Sequence, residues 1–323
     1  MLHVRKFVLG VPMVIALVAL MGATALALTI TGTPGNDRIK GSRDADQIAG
    51  LGGNDRVFAR GGDDIVTMGP GRDLVFGQFG NDTVDAGPGR DAVIGGHGND
   101  TILGRQGKDL LFGNVGDDTI NGLADNDRIR GNQGNDVLRG DNNELGDANS
   151  RDKVLGGPGN DLLYGGDARD FLLGGPDNDQ SWGENGNDLL AGAQGDDIQY
   201  GGNGRDVIFA NLGADKTFGG PGNDVLFALA QKDVPNPGVD EVRGEDGNDT
   251  IRTSDGEADI VNCGAGNDRA FLDTVDVIED AIDGNPNGSC ERVVRVTPDP
   301  KENAQENATE DQPDANKEKP DAS

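Results

Sequence analysis

Aspartate recurs every nine residues over most of the chain, and carboxylates placed in such a series could hold cations. The first run is unbroken from Asp37 to Asp136, the second extends from Asp152 to Asp224, and spacing begins to slip after Asp240. Carboxylate oxygens are the ligands that hard cations such as Ca²⁺ prefer. If the chain stacks as parallel strands about 4.8 Å apart, carboxylates in successive layers would repel each other unless a cation lies between them.

Each nine-residue unit has a glycine-rich half that ends in Asp and a short apolar half. A clean copy at 95–103 reads Gly-Gly-His-Gly-Asn-Asp-Thr-Ile-Leu. Glycine suits a tight turn, and the residues after Asp suit a short strand. The residue two after Asp is Ile, Leu or Val throughout the first run, which predicts a thin core shared by stacked copies. One repeat is too short for two strands and two turns, so we expect two repeats, eighteen residues in all, to form one coil.

This pattern resembles the G-G-x-G-x-D-x-U-x repeat of the RTX, or haemolysin-type, calcium-binding proteins over residues 32–270. The resemblance implies an all-β fold, a right-handed parallel β-roll (a β-solenoid) of about two dozen nonapeptide repeats with two sheets. It also implies multiple Ca²⁺ ions in the turns. RTX proteins usually carry a C-terminal export signal, whereas an N-terminal signal is predicted for this chain, which leaves its export route open.

We predict that the aspartates of the repeat ligate the metal, most strongly where Gly-Asn-Asp is intact, as at Asn99. Copies with a basic residue before Asp, such as Arg72, are predicted to bind weakly, as are copies that lack the Gly two before Asp, as at Asp125. The predicted metal ligands are Asp37, Asp55, Asp64, Asp73, Asp82, Asp91, Asp100, Asp109, Asp118, Asp127, Asp136, Asp161, Asp170, Asp179, Asp188, Asp197, Asp206, Asp224, Asp249 and Asp268.

The composition narrows the choice of partners. The formal net charge is −29, only 34% of residues are hydrophobic, and 54 are glycine. A thick globular core needs more apolar volume than this. The acidic excess disfavours nucleic acid and anionic membrane surfaces, because both are bound through basic patches. Calcium ions are therefore the predicted partners, with no nucleic acid and no membrane once the signal is removed.

Residues 1–27 are predicted to be a signal peptide. Basic Arg5 and Lys6, an apolar stretch and the Ala-Leu-Ala sequence at 25–27 have the order of a secretory signal with its cleavage site. An uncleaved anchor is the alternative, because the uncharged stretch at 7–28 is long enough to span a bilayer. Both interpretations place the repeats outside the cell, as a secreted, extracellular or cell-surface protein.

Breaks in the period divide the rest of the chain. Cys263 and Cys290 are predicted to form a disulfide, as a cysteine pair in an exported protein usually does. The predicted segments are a first β-roll run at 28–139, an inserted loop at 140–150, a second β-roll run at 151–227, an inserted loop at 228–238, degenerate repeats at 239–270, a C-terminal cap at 271–296 and a disordered acidic tail at 297–323.

The second run departs from the apolar pattern. Its inward position reads Ser181, Gln199 and Thr217, and each of these polar residues precedes an aromatic residue. Either one sheet is shifted by one residue, which would exchange its two faces, or a polar inner row lies beside an exposed aromatic stripe. Such a stripe would be a surface for a glycan or a cell-surface protein.

Other functions are not favoured by the sequence. His-Glu-x-x-His and Gly-x-Ser-x-Gly are absent, so no enzymatic activity is predicted. The position three before Asp shows no regular row of Thr, so ice binding is not favoured either. We therefore predict an exported calcium-binding repeat protein that folds on Ca²⁺ binding and has a structural or interaction role at or outside the cell surface. The alternative is a calcium-dependent glycan- or protein-binding module that uses the aromatic sheet face.

Overall fold

The computed structural model describes residues 27–141, 150–228, 238–282 and 284–296. Almost all of the predicted signal peptide, the acidic tail and the middle of each inserted loop lie outside these ranges. All regular elements in the described ranges are β-strands. In the same ranges, no helix long and apolar enough to cross a membrane is found.

The strands alternate between two parallel sheets, so the chain winds as a β-solenoid. In the first sheet Val84 lies beside Ile102, which lies beside Ile120, and each step spans two repeats. The predicted all-β roll with eighteen residues per coil is therefore confirmed. Short strands suit this sequence because only about three residues of each repeat separate two glycine-rich turns.

The first sheet contains 14 strands, and each is hydrogen-bonded to the next along the sheet. In order they are β1 (Thr29–Thr31), β3 (Gln47–Ala49), β5 (Ile65–Thr67), β7 (Thr83–Asp85), β9 (Thr101–Gln106), β11 (Thr119–Ala124), β13 (Val137–Arg139), β15 (Leu162–Asp167), β17 (Gln180–Gly186), β19 (Ile198–Gly204), β21 (Lys216–Phe218), β23 (Glu241–Arg243), β26 (Ile260–Asn262) and β29 (Val277–Ile278).

The second sheet also has 14 strands, and a small third sheet pairs β24 (Asp246–Gly247) with β27 (Ala265–Gly266). The strands of the second sheet are β2 (Arg38–Lys40), β4 (Arg56–Gly61), β6 (Leu74–Phe79), β8 (Ala92–His97), β10 (Leu110–Val115), β12 (Arg128–Gln133), β14 (Lys153–Leu155), β16 (Phe171–Pro176), β18 (Leu189–Gln194), β20 (Val207–Leu212), β22 (Val225–Phe227), β25 (Thr250–Arg252), β28 (Arg269–Leu272) and β30 (Arg292–Arg295).

Both sheets continue past the breaks in the period. Arg128 lies beside Lys153 across the first insertion, so the sheet remains intact there. The predicted cap contains the last strand of each sheet, β29 and β30. A disulfide joins Cys263 to Cys290, whose Cα atoms lie 5.1 Å apart in the interior. The C-terminal segment therefore supplies the last strands of the roll, and the disulfide links it covalently to the preceding coil.

The core is built mainly from one inward side chain per repeat. Ile102, Leu111 and Ile120 are fully buried, and the position two after Asp is buried in copy after copy. Gln199 and Thr217 are also buried at this position, Gln199 donating to the carbonyl of Phe209 at 3.1 Å. The predicted one-residue shift of a sheet is therefore wrong, and the polar inner row of the alternative interpretation is present.

The turns hold left-handed backbone at the position four before Asp. Glycine often occupies this position, but Arg60 has φ 92°, Ala193 has φ 89° and Leu51 has φ 83°. A side chain in this region costs about 1–2 kcal/mol, because Cβ approaches the following carbonyl oxygen. Stacking against neighbouring coils imposes one turn geometry, so these copies retain the strain.

The Ala193→Gly variant should be more stable by about 1 kcal/mol, because glycine relieves the left-handed strain in β18. Ala191 lies on the same strand with ordinary φ, so Ala191→Gly is the matched control and should lose about 0.5–1 kcal/mol. Urea unfolding of the calcium-loaded variants measures both. If the two substitutions destabilise equally, Ala193 does not carry left-handed strain.

Candidate metal centre

The aspartates of the repeat form a row along each edge of the roll. Edge 1 comprises the turns that lead from the first sheet to the second, including Asp55 and Asp73. Edge 2 comprises the turns that lead back, including Asp82 and Asp100. These aspartates are at most 6% exposed, because the turn directs each side chain into the roll. Each edge thus carries a line of buried carboxylates, one per coil.

One oxygen of each carboxylate after Asp37 is engaged by the neighbouring coil. The backbone N–H of Asp64 donates to Oδ1 of Asp82 at 2.8 Å, and the N–H of Asp82 donates to Oδ1 of Asp100 at 2.8 Å. Edge 1 repeats this arrangement, with Asp55 donating to Asp73 at 2.7 Å. The carboxylates therefore link successive turns as well as facing the interior.

The other oxygen, Oδ2, has no hydrogen-bond partner at most positions, although it is buried. Leaving a buried charged oxygen without a partner is costly, because the charge loses its hydration. Of the 20 predicted ligands, only Asp37 departs from this pattern. Its Oδ2 accepts the backbone N–H of Thr33 at 2.5 Å and the hydroxyl at 2.9 Å. Asp215 and Asp259, which the sequence prediction omitted, share the pattern.

The glycine five before Asp leaves room beside Oδ2. A Cβ on Gly77 would lie 2.2 Å from Oδ2 of Asp82 and 2.5 Å from the carbonyl oxygen of Gly95. A carboxylate oxygen and a backbone carbonyl oxygen thus converge on one space that no side chain fills. Hard oxygen donors of these two kinds are what Ca²⁺ binds. Over the described ranges no three His, Cys, Asp or Glu side chains converge, so a bound ion must also use backbone carbonyls.

A side chain occupies this space in some copies, which sequence reasoning missed. Ala59, Met68, Ala86 and Ala210 stand five residues before Asp64, Asp73, Asp91 and Asp215, and all four are buried. These copies have less room for an ion than copies with glycine. The residue at this position could have served as the signal, but the prediction graded copies only by the two residues before Asp.

The Asn directly before the repeat Asp was predicted to mark the strongest metal sites. In the structure its side chain connects neighbouring turns. On edge 2 the N–H of Asn99 donates to Oδ1 of Asn81 at 2.7 Å, and the N–H of Asp117 donates to Oδ1 of Asn99 at 3.0 Å. These side chains are exposed, and they connect turns on the outside of the edge. Intact Gly-Asn-Asp copies therefore have better-connected turns, whereas Oδ2 and the carbonyls line the interior space.

Burial raises the pKa of these aspartates well above the ordinary value near 4. Desolvation is the main cause, and the carboxylates of neighbouring coils add to it. The pKa of Asp82 rises to about 7, and those of Asp127 and Asp215 rise to about 9. Negative charge on the carboxylates of these rows is thus unfavourable unless a cation compensates it.

The aromatic residues form a continuous stack on the first sheet. Ring centroids lie 4.7 Å apart for Tyr164 and Trp182, 5.7 Å for Trp182 and Tyr200, and 4.8 Å for Tyr200 and Phe218. The rings are nearly parallel, and the guanidinium of Arg139 lies over the ring of Tyr164 at 4.0 Å. Neighbours therefore cover most of the ring faces, and mainly ring edges remain exposed.

Parallel sheets wound as a coil, with inward carboxylates along both edges, define a β-roll. The family model described as RTX calcium-binding nonapeptide repeat (4 copies) matches most of the chain, which therefore belongs to this family. No curated protein matches the chain. The matched segments are residues 31–66, 69–102, 76–111, 85–120, 112–143, 149–181, 182–199, 191–226 and 236–270.

The raised pKa values set the pH dependence of the calcium-free roll. An unfolded Asp titrates near 4, whereas Asp82 in the roll titrates at about 7 and Asp127 at about 9. The folded state therefore binds more protons between about pH 4 and 9, so stability should rise as pH falls through this range and level off below it. Far-UV circular dichroism combined with urea unfolding, after removal of calcium at about pH 8 and about pH 5, measures this trend: the β-sheet signal should be stronger and more resistant to urea at about pH 5 than at about pH 8.

Calcium-saturated protein is the control for this pH series. Protons compete with the cation for the carboxylates, so the stabilisation that calcium adds should shrink as pH falls. Calcium-free protein that shows the same β-sheet spectrum and the same resistance to urea at both pH values would contradict the burial of these carboxylates along the edges.

Proposed function

We propose that this RTX chain is an exported protein whose roll folds on binding multiple Ca²⁺ ions, and that it has a structural or interaction role at or outside the cell surface. The buried Oδ2 atoms along both edges are the observation that carries the proposal. Family membership supports calcium as the cation.

The chain's own residues perform two tasks in this proposal. Aspartates such as Asp82 and Asp100 hold Oδ1 in a hydrogen bond between coils and direct Oδ2 inward. Glycines such as Gly77 keep the adjoining space open. When bound, Ca²⁺ would supply the positive charge that offsets the carboxylates. Without it, repulsion along the rows and desolvation would oppose the coiled state.

Export is supported by the sequence and by the cysteines. The basic and apolar order of residues 1–27 is that of a secretory signal. Cys263 and Cys290 are joined in a buried disulfide, a bond that persists in oxidising compartments outside the cytosol.

A calcium-dependent glycan- or protein-binding module that uses the aromatic face is the alternative function. Its support is the row of aromatic side chains from Tyr164 to Phe218 on one face. Sugar rings usually bind to open aromatic faces, and in this row those faces cover one another. The geometry therefore favours the aromatic row as a packing feature of the first sheet.

Adding calcium to calcium-free protein should convert a spectrum of disordered chain to one of β-sheet, because the cations remove the cost of burying the carboxylates. Far-UV circular dichroism during a calcium titration follows this change, and calorimetry counts the ions. A matched magnesium titration is the control, since Mg²⁺ demands a smaller octahedral site and keeps its waters. A sheet spectrum that is unchanged after exhaustive chelation would refute coupled folding.

The Gly77→Ala variant should lose calcium affinity at one site, because the new methyl group would lie against Oδ2 of Asp82 and the carbonyl of Gly95. The roll itself should persist, since Ala59 and Ala86 occupy equivalent positions. The control is Gly52→Ala, where the nearest atom to the new Cβ is 3.6 Å away. Calorimetric titration should give about one ion fewer for the first variant only. Equal titrations for both would place calcium elsewhere.

A further inference from the structure

Basic side chains of this acidic chain form a row along edge 1. From Arg38 to Arg169, each of eight consecutive coils has a Lys or Arg directly before or after its repeat aspartate on this edge. The same two positions on edge 2 hold no cation over these coils, and they include Asp63 and Asp117. One edge of a chain with net charge −29 is thus lined with positive side chains, which we call the basic row.

The basic row borders an elongated groove. An open groove of about 1240 Å³ extends along edge 1 from Asn36 to Lys153, and a smaller one of about 470 Å³ continues it to Arg169. The first groove crosses seven coils, which gives it a length of about 29 Å at the spacing of parallel strands. It therefore has the shape of a site for an extended polymer rather than for a compact ligand.

Three cations of the row are available to a ligand. Arg72, Arg90 and Arg151 are exposed. None of these three arginines forms an ion pair with any residue in the described part of the chain. Guanidinium groups bind carboxylate and sulfate oxygens in a two-pronged geometry, so a row of them fits a chain that carries an acid group at regular intervals.

The rest of the groove lining favours sugar over nucleic acid. Leu74, Ala92 and Leu110 form an apolar strip beside the cations, and amides such as Asn36 and Asn54 supply hydrogen-bonding groups. Sugar rings present both C–H faces and hydroxyls, which suit these two kinds of side chain. No aromatic residue lines the described groove, so it lacks the stacking surface with which proteins bind single-stranded nucleic acid.

We propose that the basic row and its groove bind an extended acidic polysaccharide, with carboxylate or sulfate groups facing the arginines of edge 1. The inference goes beyond calcium binding and uses different side chains. It rests on the proposed export only for where the polymer would be met. Calcium in the buried rows would strengthen the site, because it would offset the aspartates beneath the groove.

The test is calorimetric binding of a short oligogalacturonate to the full-length, calcium-loaded protein after removal of excess calcium. Binding should weaken as salt is raised, because the contacts are exposed ion pairs. The variant Arg72→Gln/Arg90→Gln/Arg151→Gln should bind about tenfold more weakly, since three exposed charge contacts are lost. A sulfated dextran oligosaccharide separates the two acid groups, and neutral dextran should not bind.

The matched control removes three charges elsewhere. Lys40, Arg43 and Arg130 are exposed and lie outside the groove, so Lys40→Gln/Arg43→Gln/Arg130→Gln should leave affinity within about twofold. Circular dichroism of each variant confirms the sheet content at which binding is measured. The assay is therefore informative even if the roll proves to be folded without calcium.

Three results would overturn the proposal. The first is equal weakening in both triple variants, which would indicate an effect of net charge alone. The second is an absence of binding to either acidic oligosaccharide by folded protein. The third is tighter binding of oligothymidylate or polyphosphate than of both oligosaccharides, which would assign the groove to phosphate polymers.

Discussion

Burial of carboxylates in two straight rows is the constraint on which the rest of this structure depends. Each aspartate gives one oxygen to the backbone of the neighbouring coil and turns the other into the interior. The first interaction fixes how coils stack, and the second leaves a buried carboxylate oxygen without a hydrogen-bond partner in the described part of the chain. The same residue thus orders the turn and carries a desolvation cost.

The sequence is most informative where one residue has one role in every copy. The period of nine, the inward position held by residues such as Ile102, and the turns around each Asp all followed from the pattern, because a stacked repeat leaves no freedom in register. The polar residues Ser181 and Gln199 were harder to place, since their type suggested the outer face. Stacking of identical coils outweighs the cost of one buried amide, which here finds a carbonyl partner.

The site was less accessible to sequence reasoning than the fold. The aspartates could be identified from the sequence. The room for an ion beside each carboxylate could not, because it depends on the residue five positions before the Asp. Met68 and Gly77 occupy the same position of a degenerate repeat, so their difference was given no weight in the sequence prediction. Met68 fills the space beside a carboxylate, whereas Gly77 leaves it open. The presence of a basic row on edge 1 but not on edge 2 was also not apparent, because it emerges only when alternate repeats are assigned to opposite sides of the roll.

The alternation of edges has a consequence for how such a gene can change in length. Loss or gain of two repeats would remove or add one complete coil and leave both edges in place. Loss of a single repeat would preserve the period, the core and all remaining aspartates. It would, however, transfer all later repeats to the opposite side of the roll. Residues such as Arg151 and Arg169 would then lie across the roll from Arg72. Natural variation in this chain should therefore proceed in pairs of repeats wherever a function is confined to one side.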